Sequence, residues 1–177
     1  MKVKQMVIIA LLTAAICVMA PFSVPIGPIP ITLATLGVYL AAGLLGPKWG
    51  TLSVTLYVVL GALGVPVFSG FSGGFQKIAG VTGGYIVGYI LCAALAGFLM
   101  ERLRWRHWAI PVAMVAGTAV LYAFGTVWYI LQTGTALLPA LLACVVPFLP
   151  CDAIKIAAAT GLVLALRPVL RRSGLPG

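Results

Sequence analysis

Four long segments of this 177-residue chain contain no Lys, Arg, Asp or Glu. They cover residues 5–47, 49–76, 78–100 and 108–151. The hydrocarbon core of a bilayer is about 30 Å thick, and a helix needs about 20 apolar residues to cross it. Uncharged segments of this length are typical of membrane-spanning chains, and the sequence therefore predicts an integral membrane protein.

Charge is scarce in this chain and almost entirely positive. Charged residues make up 7% of the sequence, whereas soluble domains carry about 25%. The net charge of +9 would suit nucleic acid, but the basic residues occur singly and in short clusters between apolar segments. This placement indicates a lipid bilayer as the partner, and we expect no nucleic acid.

Pro/Gly clusters and charges divide the chain into six candidate transmembrane helices, all within one domain over residues 1–177. The first, in "MKVKQMVIIALLTAAICVMAPF", resembles a signal peptide. It lacks a clear small-x-small cleavage site and further spans follow, so we expect it to be retained. A shorter apolar piece, 137–146, is expected to be a short helix at the outer surface. The predicted spans are 6–20, 31–46, 51–64, 82–100, 109–131 and 150–167.

The basic residues set the orientation of this predicted all-α membrane fold. With the N-terminus in the cytoplasm and six crossings, only Lys77 and Lys155 lie on the outer side. Cytoplasmic loops carry an excess of Lys and Arg, so we predict both termini in the cytoplasm. The basic residues on the inner side are then Lys2, Lys4, Lys48, Arg102, Arg104, Arg106, Arg167, Arg171 and Arg172.

The outer connections differ from the inner ones. The inner connections "GPKWG" and "ERLRWRHW" are short. The outer connections "PFSVPIGPIP", "VPVFSGFSGGFQKIAGVTGG" and "TGTALLPALLACVVPFLP" are long and rich in Pro and Gly. Irregular backbone near a membrane is tolerated where it packs on protein or lines a cavity. We therefore expect the outer loops to cap a pocket that opens outward.

Two opposite charges, Asp152 and Lys155, lie near the start of the last predicted span. If Arg167 marks the inner boundary, a rise of 1.5 Å per residue puts Lys155 roughly 18 Å and Asp152 roughly 22 Å above it. Ionisable groups at that depth are costly unless they are paired or solvated, and they usually face a cavity. We predict that the pair binds a polar solute that carries N–H and C=O or carboxylate groups.

A purely structural explanation of the same pair stays open. An acidic side chain at a helix N-terminus meets the positive end of the helix dipole, which explains Asp152. A cation there opposes the dipole and needs an acceptor, which an internal bridge from Lys155 to Asp152 would supply.

Five further residues in the outer region are candidate ligand contacts. Gln76 and Lys77 in "SGGFQKIAG" would reach into an outward pocket, where Lys77 attracts an anion, although an exposed loop cation is usually only solvated. The motif "TGGY" offers Gly83 and Gly84 for close backbone approach to a ligand, and Tyr85 for stacking or hydrogen bonding. A plain transition from loop to helix with an interfacial aromatic explains this motif equally well.

The residues offer almost nothing for enzyme chemistry. Glu101 and Asp152 are the only acidic side chains, and the single histidine, His107, lies in a basic inner connection. "GLLGPKW" lacks the spacing and hydroxyl of a phosphate-binding P-loop. The four cysteines show no CxxC spacing and are expected to be buried hydrophobes. We predict no catalytic residues, no metal, no cofactor and no hydrolysis of ATP by this chain.

Two stretches resemble a known family. They are "PIPITLATLGVYLAAGLLGPKWGTLSVTLYVVLGALGVPVFSGFSGGFQKIAGVTGGYIVGY" and "PFLPCDAIK". Both are similar to the BioY family, the biotin-specific substrate-binding (S) components of energy-coupling factor (ECF) transporters, and the resemblance covers nearly the whole chain. Three positions depart from the family pattern: Ala34 stands for Gln, Val81 for Pro and Cys151 for Gly.

The resemblance implies a bacterial membrane protein of six helices that binds biotin from outside with high affinity and catalyses nothing. Asp152 and Lys155 match the family's acidic and basic residues, which bond the ureido ring of biotin. By the same resemblance, Gln76 and the residues 83–85 complete the pocket, and Lys77 is a candidate partner for the biotin carboxylate.

The resemblance also implies partners in the membrane. Such S components work with a separate transmembrane coupling protein that two ATPases drive. Ala10 and Ala14, four apart on the first helix, form a small-xxx-small face that lets helices approach closely. These two residues would then contact the coupling protein.

The residues themselves leave three alternatives to biotin uptake open. The same fold would suit another vitamin, such as thiamine or riboflavin. A non-transport scaffold, in which the pair only fixes helix packing, predicts that Asp152→Asn lowers thermal stability and leaves ligand affinity untouched. An enzyme is remote, because Cys151 is the one nucleophile beside Asp152.

Overall fold

The computed structural model describes the backbone of residues 3–172 and the side chains of residues 3–170. Lys2 and the side chains of Arg171 and Arg172, which we assigned to the inner side, lie outside the described residues. The elements in chain order are α1 (Val3–Met19), β1 (Ser23–Val24), β2 (Ile31–Thr32), α2 (Ala34–Ala62), α3 (Phe75–Ala79), α4 (Gly83–Arg102), α5 (Ala109–Thr133), α6 (Leu137–Cys144) and α7 (Phe148–Arg172).

The described chain is mainly helical, as the sequence predicts. Among the described residues, three helices are long and apolar enough to cross a membrane: Gly83–Arg102, Ala109–Thr133 and Phe148–Leu170. The predicted spans 82–100, 109–131 and 150–167 overlap these three helices almost completely. The predicted span 6–20 corresponds to the shorter apolar helix α1, and the short piece 137–146 corresponds to α6.

The bounds of the predicted spans 31–46 and 51–64 need correction, because residues 31–32 form β2 and residues 34–62 form one broken element, α2. The break is at Gly46, whose φ of 77° and ψ of −174° are not helical. A Cβ on Gly50 would lie 2.6 Å from the carbonyl oxygen of Ala41. In a straight helix these residues would be about 13 Å apart along the axis. The two arms of α2 therefore fold back on each other at Gly46.

Helix α4 lies between α2 and α5 and packs on both of them. Small residues make this packing close: a Cβ on Gly88 would lie 2.8 Å from a methyl of Leu121, and one on Gly97 would lie 2.7 Å from the Cα of Pro47. By contrast, α7 packs mainly on α2 and is the least buried of the three long helices. The last helix is thus attached to one side of the bundle.

A short antiparallel ribbon, which the sequence analysis does not predict, lies at one end of the bundle. It pairs Ser23 with Thr32 and Val24 with Ile31. The residues just before the ribbon contact the segment that follows α2, because the Gly70 amide donates to the Pro21 carbonyl at 3.0 Å. We call this end the ribbon end. The opposite end, where Gly46 meets the connection between α4 and α5, is called the Gly46 end.

Candidate ligand-binding site

Asp152 and Lys155 form a salt bridge in the interior of the protein. The Lys155 Nζ lies 2.8 Å from the Asp152 Oδ1. Only 3% of Asp152 and 8% of Lys155 is exposed. Because α7 begins at Phe148, Asp152 lies in the second turn. The influence of a helix dipole is largely confined to the first turn, so the dipole contributes little to holding this carboxylate.

Lys155 uses all three of its donors. Besides Asp152, its Nζ donates to the Thr32 carbonyl at 2.8 Å and to the Thr35 Oγ1 at 3.1 Å. An ammonium group has three protons to donate, so the described contacts satisfy it fully. Thr32 belongs to the ribbon and Thr35 to the first turn of α2, so Lys155 joins α7 to both.

The Asp152 carboxylate is equally well satisfied. Its Oδ1 accepts from the Thr35 hydroxyl at 3.2 Å as well as from Lys155. Its Oδ2 accepts from the Tyr122 hydroxyl at 2.5 Å. A buried charge is tolerated only when it is paired and hydrogen-bonded, and this one has three donors from α2, α5 and α7.

A cavity of about 20 Å³ adjoins the ion pair. A second cavity, also about 20 Å³, shares one wall with the first and continues toward Tyr57, Phe68 and Ser69. Sites for small organic ligands usually hold about 300–1,000 Å³, so both cavities are closed in this conformation. The shared wall consists of Ile29, Pro30, Thr32, Tyr85 and Tyr89.

A larger open groove of about 700 Å³ lies at the Gly46 end, between Lys48, Glu101 and Trp105. It is far wider than the two closed cavities, but it does not contact Asp152 or Lys155. Buried, paired ionisable groups are the stronger indication of a binding site than open volume. We therefore assign the candidate site to the ion pair.

Comparison with known proteins identifies the family. The sequence profile of the BioY family matches residues 1–172. This chain belongs to the BioY family. The resemblance seen in the sequence is thereby confirmed.

Relatives match over almost the whole chain. The probable biotin transporter BioY of Pyrococcus horikoshii is 40% identical over 167 residues, which are 94% of this chain and 97% of that protein. The biotin transporter BioY of Thermotoga maritima is also 40% identical, over 93% of this chain and 96% of that protein. A solved structure, the S-component for biotin from an ECF-type ABC transporter, matches with a TM-score of 0.88 at 32% identity and covers 94% of this chain and 92% of that chain.

Among the residues predicted from "TGGY", Tyr85 lines both closed cavities of this BioY family member. Its hydroxyl donates to the Cys144 carbonyl at 2.9 Å, and its ring stacks on Phe148 with centroids 6.2 Å apart. Gly83 and Gly84 are buried as well. A Cβ on Gly83 would collide with the Ile78 carbonyl, and one on Gly84 with Trp128. In the described conformation these glycines allow close packing with protein, and their approach to a ligand stays a prediction.

Gln76 and Lys77 lie on the short helix α3, away from the ion pair. Gln76 is exposed and Lys77 is half-buried. Neither contributes to the walls of the two closed cavities. A contact with ligand would therefore require the segment around α3 to move.

The structure adds residues that sequence reasoning missed. Thr32 and Thr35 bind Lys155, Tyr122 binds Asp152, and the Tyr89 hydroxyl lies 3.4 Å from the Thr32 Oγ1. Two threonines three apart, one in the ribbon and one in the first turn of α2, give a weak sequence signal. A tyrosine in the middle of an apolar helix gives none, because its partner is 30 residues away in the chain.

Ala10 and Ala14 lie on the exposed face of α1. The opposite face is held to α2 through Thr13, whose hydroxyl lies 3.0 Å from the Ser53 hydroxyl. The small-xxx-small face is thus turned away from the described bundle.

Proposed function

We propose that this chain is the biotin-binding component of an ECF-type vitamin importer in the cytoplasmic membrane of a bacterium. It is a transporter component and not an enzyme. The named relatives and the solved S-component for biotin support the choice of biotin over thiamine or riboflavin. The observation that carries the proposed site is the Asp152–Lys155 pair, which is buried inside the protein and bonded on both charges.

The proposed topology has six crossings in one domain: α1, the two arms of α2, α4, α5 and α7. Both termini and the Gly46 end lie in the cytoplasm, and the ribbon end faces outward. The excess of Lys and Arg predicted for the inner side supports this orientation.

The chemistry of the pair suits a ureido group. An N–H of the ureido ring donates to the Asp152 Oδ1, and the ureido oxygen accepts from the Lys155 Nζ. In the described conformation the Thr35 hydroxyl already makes both kinds of contact, donating to Asp152 and accepting from Lys155. The ligand groups would take the place of the Thr35 hydroxyl, so both charges stay satisfied on binding and neither is left unpaired in the interior.

Entry of biotin requires the ribbon end to open, because the cavity beside the pair is too small for any vitamin. The ribbon supplies Thr32, and the chain between its strands supplies Ile29 and Pro30 to the cavity wall. The ligand carboxylate then extends along the adjoining cavity, and Lys77 and Gln76 come within reach only after α3 has moved. Movement of these loops is part of the proposal.

Calorimetric titration of the detergent-purified protein with biotin tests the site. We expect tight one-site binding to the wild type, loss of binding in Asp152→Asn and Lys155→Ala, and no change in Glu101→Gln. Glu101 is a matched control, since it is an exposed carboxylate at the Gly46 end. Binding of thiamine or riboflavin instead of biotin would overturn the choice of vitamin. Folded variants that bind as well as the wild type would favour a scaffold.

The proposed partners are an ECF transmembrane coupling protein and two ATPase subunits, with Ala10 and Ala14 as the contact on α1. Ala14→Leu places a larger side chain on the exposed face without filling the core. We expect it to abolish biotin uptake by cells that express the full transporter and to leave the calorimetric affinity unchanged. Leu11→Ala, on the same exposed face, is the control. Normal uptake by Ala14→Leu would rule this contact out.

A further inference from the structure

The two oxygens of the Asp152 carboxylate lie in different surroundings. Oδ1 faces Lys155 and Thr35 beside the closed cavity. Oδ2 accepts from Tyr122, which comes from α5 and is not part of the wall of that cavity. One carboxylate therefore contacts the candidate ligand site with one oxygen and a different helix with the other.

Asp152 and Tyr122 also line a groove of about 230 Å³ between α5 and α7, which we call the lateral groove. Its rims are exposed and apolar, with Val115 on α5 and Leu149 on α7. These two helices pack on each other only slightly, and α7 is held mainly by α2. In a membrane this groove opens sideways to the lipid, so the carboxylate has the ligand cavity on one side and hydrocarbon on the other.

A carboxylate oxygen that faces hydrocarbon needs a hydrogen-bond donor, because water is absent there. The Tyr122 hydroxyl is the donor on that side, at 2.5 Å. If it were missing, the carboxylate could rotate about its Cβ–Cγ bond and turn away from Lys155. The hydroxyl therefore fixes the orientation of the carboxylate, and with it the direction of the oxygen that faces the ligand cavity.

We propose that Tyr122 is a positioning residue for the ligand site: its hydroxyl holds Oδ2 on the lipid side, keeps Oδ1 and Lys155 directed at the ligand, and shields the carboxylate from the lateral groove. The effect on affinity rests on the proposed binding of biotin. The shielding does not depend on any ligand.

Tyr122→Phe isolates the hydroxyl, because the phenyl ring keeps its edge contact with Phe148, whose centroid is 6.4 Å away. Tyr39→Phe is a matched control. The Tyr39 hydroxyl is also buried and also joins α5 to a neighbouring helix, here α2, through Thr118 at 2.5 Å, but it does not contact Asp152. A general loss of packing around α5 would appear in both variants.

The first measurement is calorimetric affinity for biotin. We expect Tyr122→Phe to weaken binding roughly tenfold or more, the usual effect of losing a hydrogen bond to a charged group, and Tyr39→Phe to bind like the wild type. Equal affinities for Tyr122→Phe and the wild type would overturn the positioning role. Equal losses in both variants would do so too, because they would indicate packing alone.

The second measurement needs no ligand. The proteins are reconstituted in liposomes and treated with dicyclohexylcarbodiimide, a lipid-soluble reagent for carboxyl groups, and the adduct on the Asp152 peptide is quantified by mass spectrometry. We expect labelling of Asp152 to be several-fold faster in Tyr122→Phe than in the wild type and in Tyr39→Phe, with Glu101 labelled equally in all three. Unchanged labelling would overturn the shielding. Absence of biotin binding in the wild type would overturn only the proposed function, and the labelling would still decide the role of Tyr122.

Discussion

The two ends of α7 each bury a cation, and the protein stabilises them in different ways. Lys155, at the ribbon end, is held by three oxygen acceptors, two of which belong to the ribbon and to the first turn of α2. Arg167, at the Gly46 end, stacks on Trp105 with its guanidinium carbon 3.1 Å from the ring centroid. A polar ligand can replace hydrogen-bond acceptors of Lys155 with its own oxygen atoms, but it offers no aromatic ring to replace Trp105 against Arg167. The comparison leads us to expect that partners are exchanged at the ribbon end, while the contact between Arg167 and Trp105 at the Gly46 end persists.

The backbone around the two cations differs in the same way. Trp105 lies in the short connection between α4 and α5 with a positive φ of 56°, and a Cβ on Gly46 would lie 3.8 Å from its ring. At the ribbon end the walls come from irregular segments, which are joined by hydrogen bonds such as that from the Gly70 amide to the Pro21 carbonyl and by the edge contact between Phe22 and Phe71 at 5.8 Å. A tight turn with an aromatic anchor leaves the backbone little freedom, whereas loops that bind ligands are commonly the elements that open locally.

The largest expected effect concerns the ion pair. Removing one partner of a buried pair costs about 3–5 kcal/mol because the other charge stays buried and unpaired. We expect Lys155→Met and Asp152→Leu each to lower the midpoint of thermal unfolding strongly, and the double variant to recover most of the loss. None of the three should bind biotin. A double variant as unstable as the single ones would show that the pair contributes more than mutual neutralisation.

The next effect sharpens the contrast with the Gly46 end. Trp105→Leu removes the ring beneath Arg167, and a partly desolvated cation–π contact contributes about 1–2 kcal/mol. We expect a lower midpoint of thermal unfolding and an unchanged affinity for biotin by calorimetry. Trp105→Phe, which keeps an aromatic face, should lose less stability. If Trp105→Leu weakened biotin binding as strongly as the ion-pair variants, the two ends would not be independent.

The smallest effect is expected at Thr35. Thr35→Val keeps the shape of the side chain and removes one hydroxyl that contacts both charges. We expect the ligand-free protein to lose about 1.5 kcal/mol of unfolding free energy, the low end of the range for a hydrogen bond to a charged group, because Asp152 and Lys155 keep their bond to each other. The control is Thr55→Val, whose hydroxyl bonds only to the Thr51 carbonyl within its own helix. Equal shifts in thermal unfolding for the two variants would mean that Thr35 has no special part in the ion-pair network.

The sequence predicts the mainly helical membrane fold because charge-free segments of membrane length are a strong and local signal. The boundaries of α2 were predicted less well. Residues 31–32 look like the start of an apolar span, but two residues show no strand period, and their pairing with residues 23–24 depends on the loop between them. The sharp turn at Gly46 falls inside "GPKWG", which was correctly recognised as a connection between two helical arms.

The candidate site was predictable only in its charged residues. Asp152 and Lys155 stand out because charges inside an apolar span are rare. Thr32, Thr35 and Tyr122 do not, because their role depends on contacts across 30 or more residues. The glycines of "TGGY" indicated close approach, but a sequence alone does not tell whether the approaching group is a ligand or, as here, Ile78 and Trp128.

The small cavity beside the ion pair has a consequence for the membrane itself. A space of about 20 Å³ holds about one water molecule. A single water molecule cannot form a continuous file of water past the ion pair. Copies of this protein in the closed conformation would therefore not short-circuit the proton and ion gradients of the membrane in which they lie.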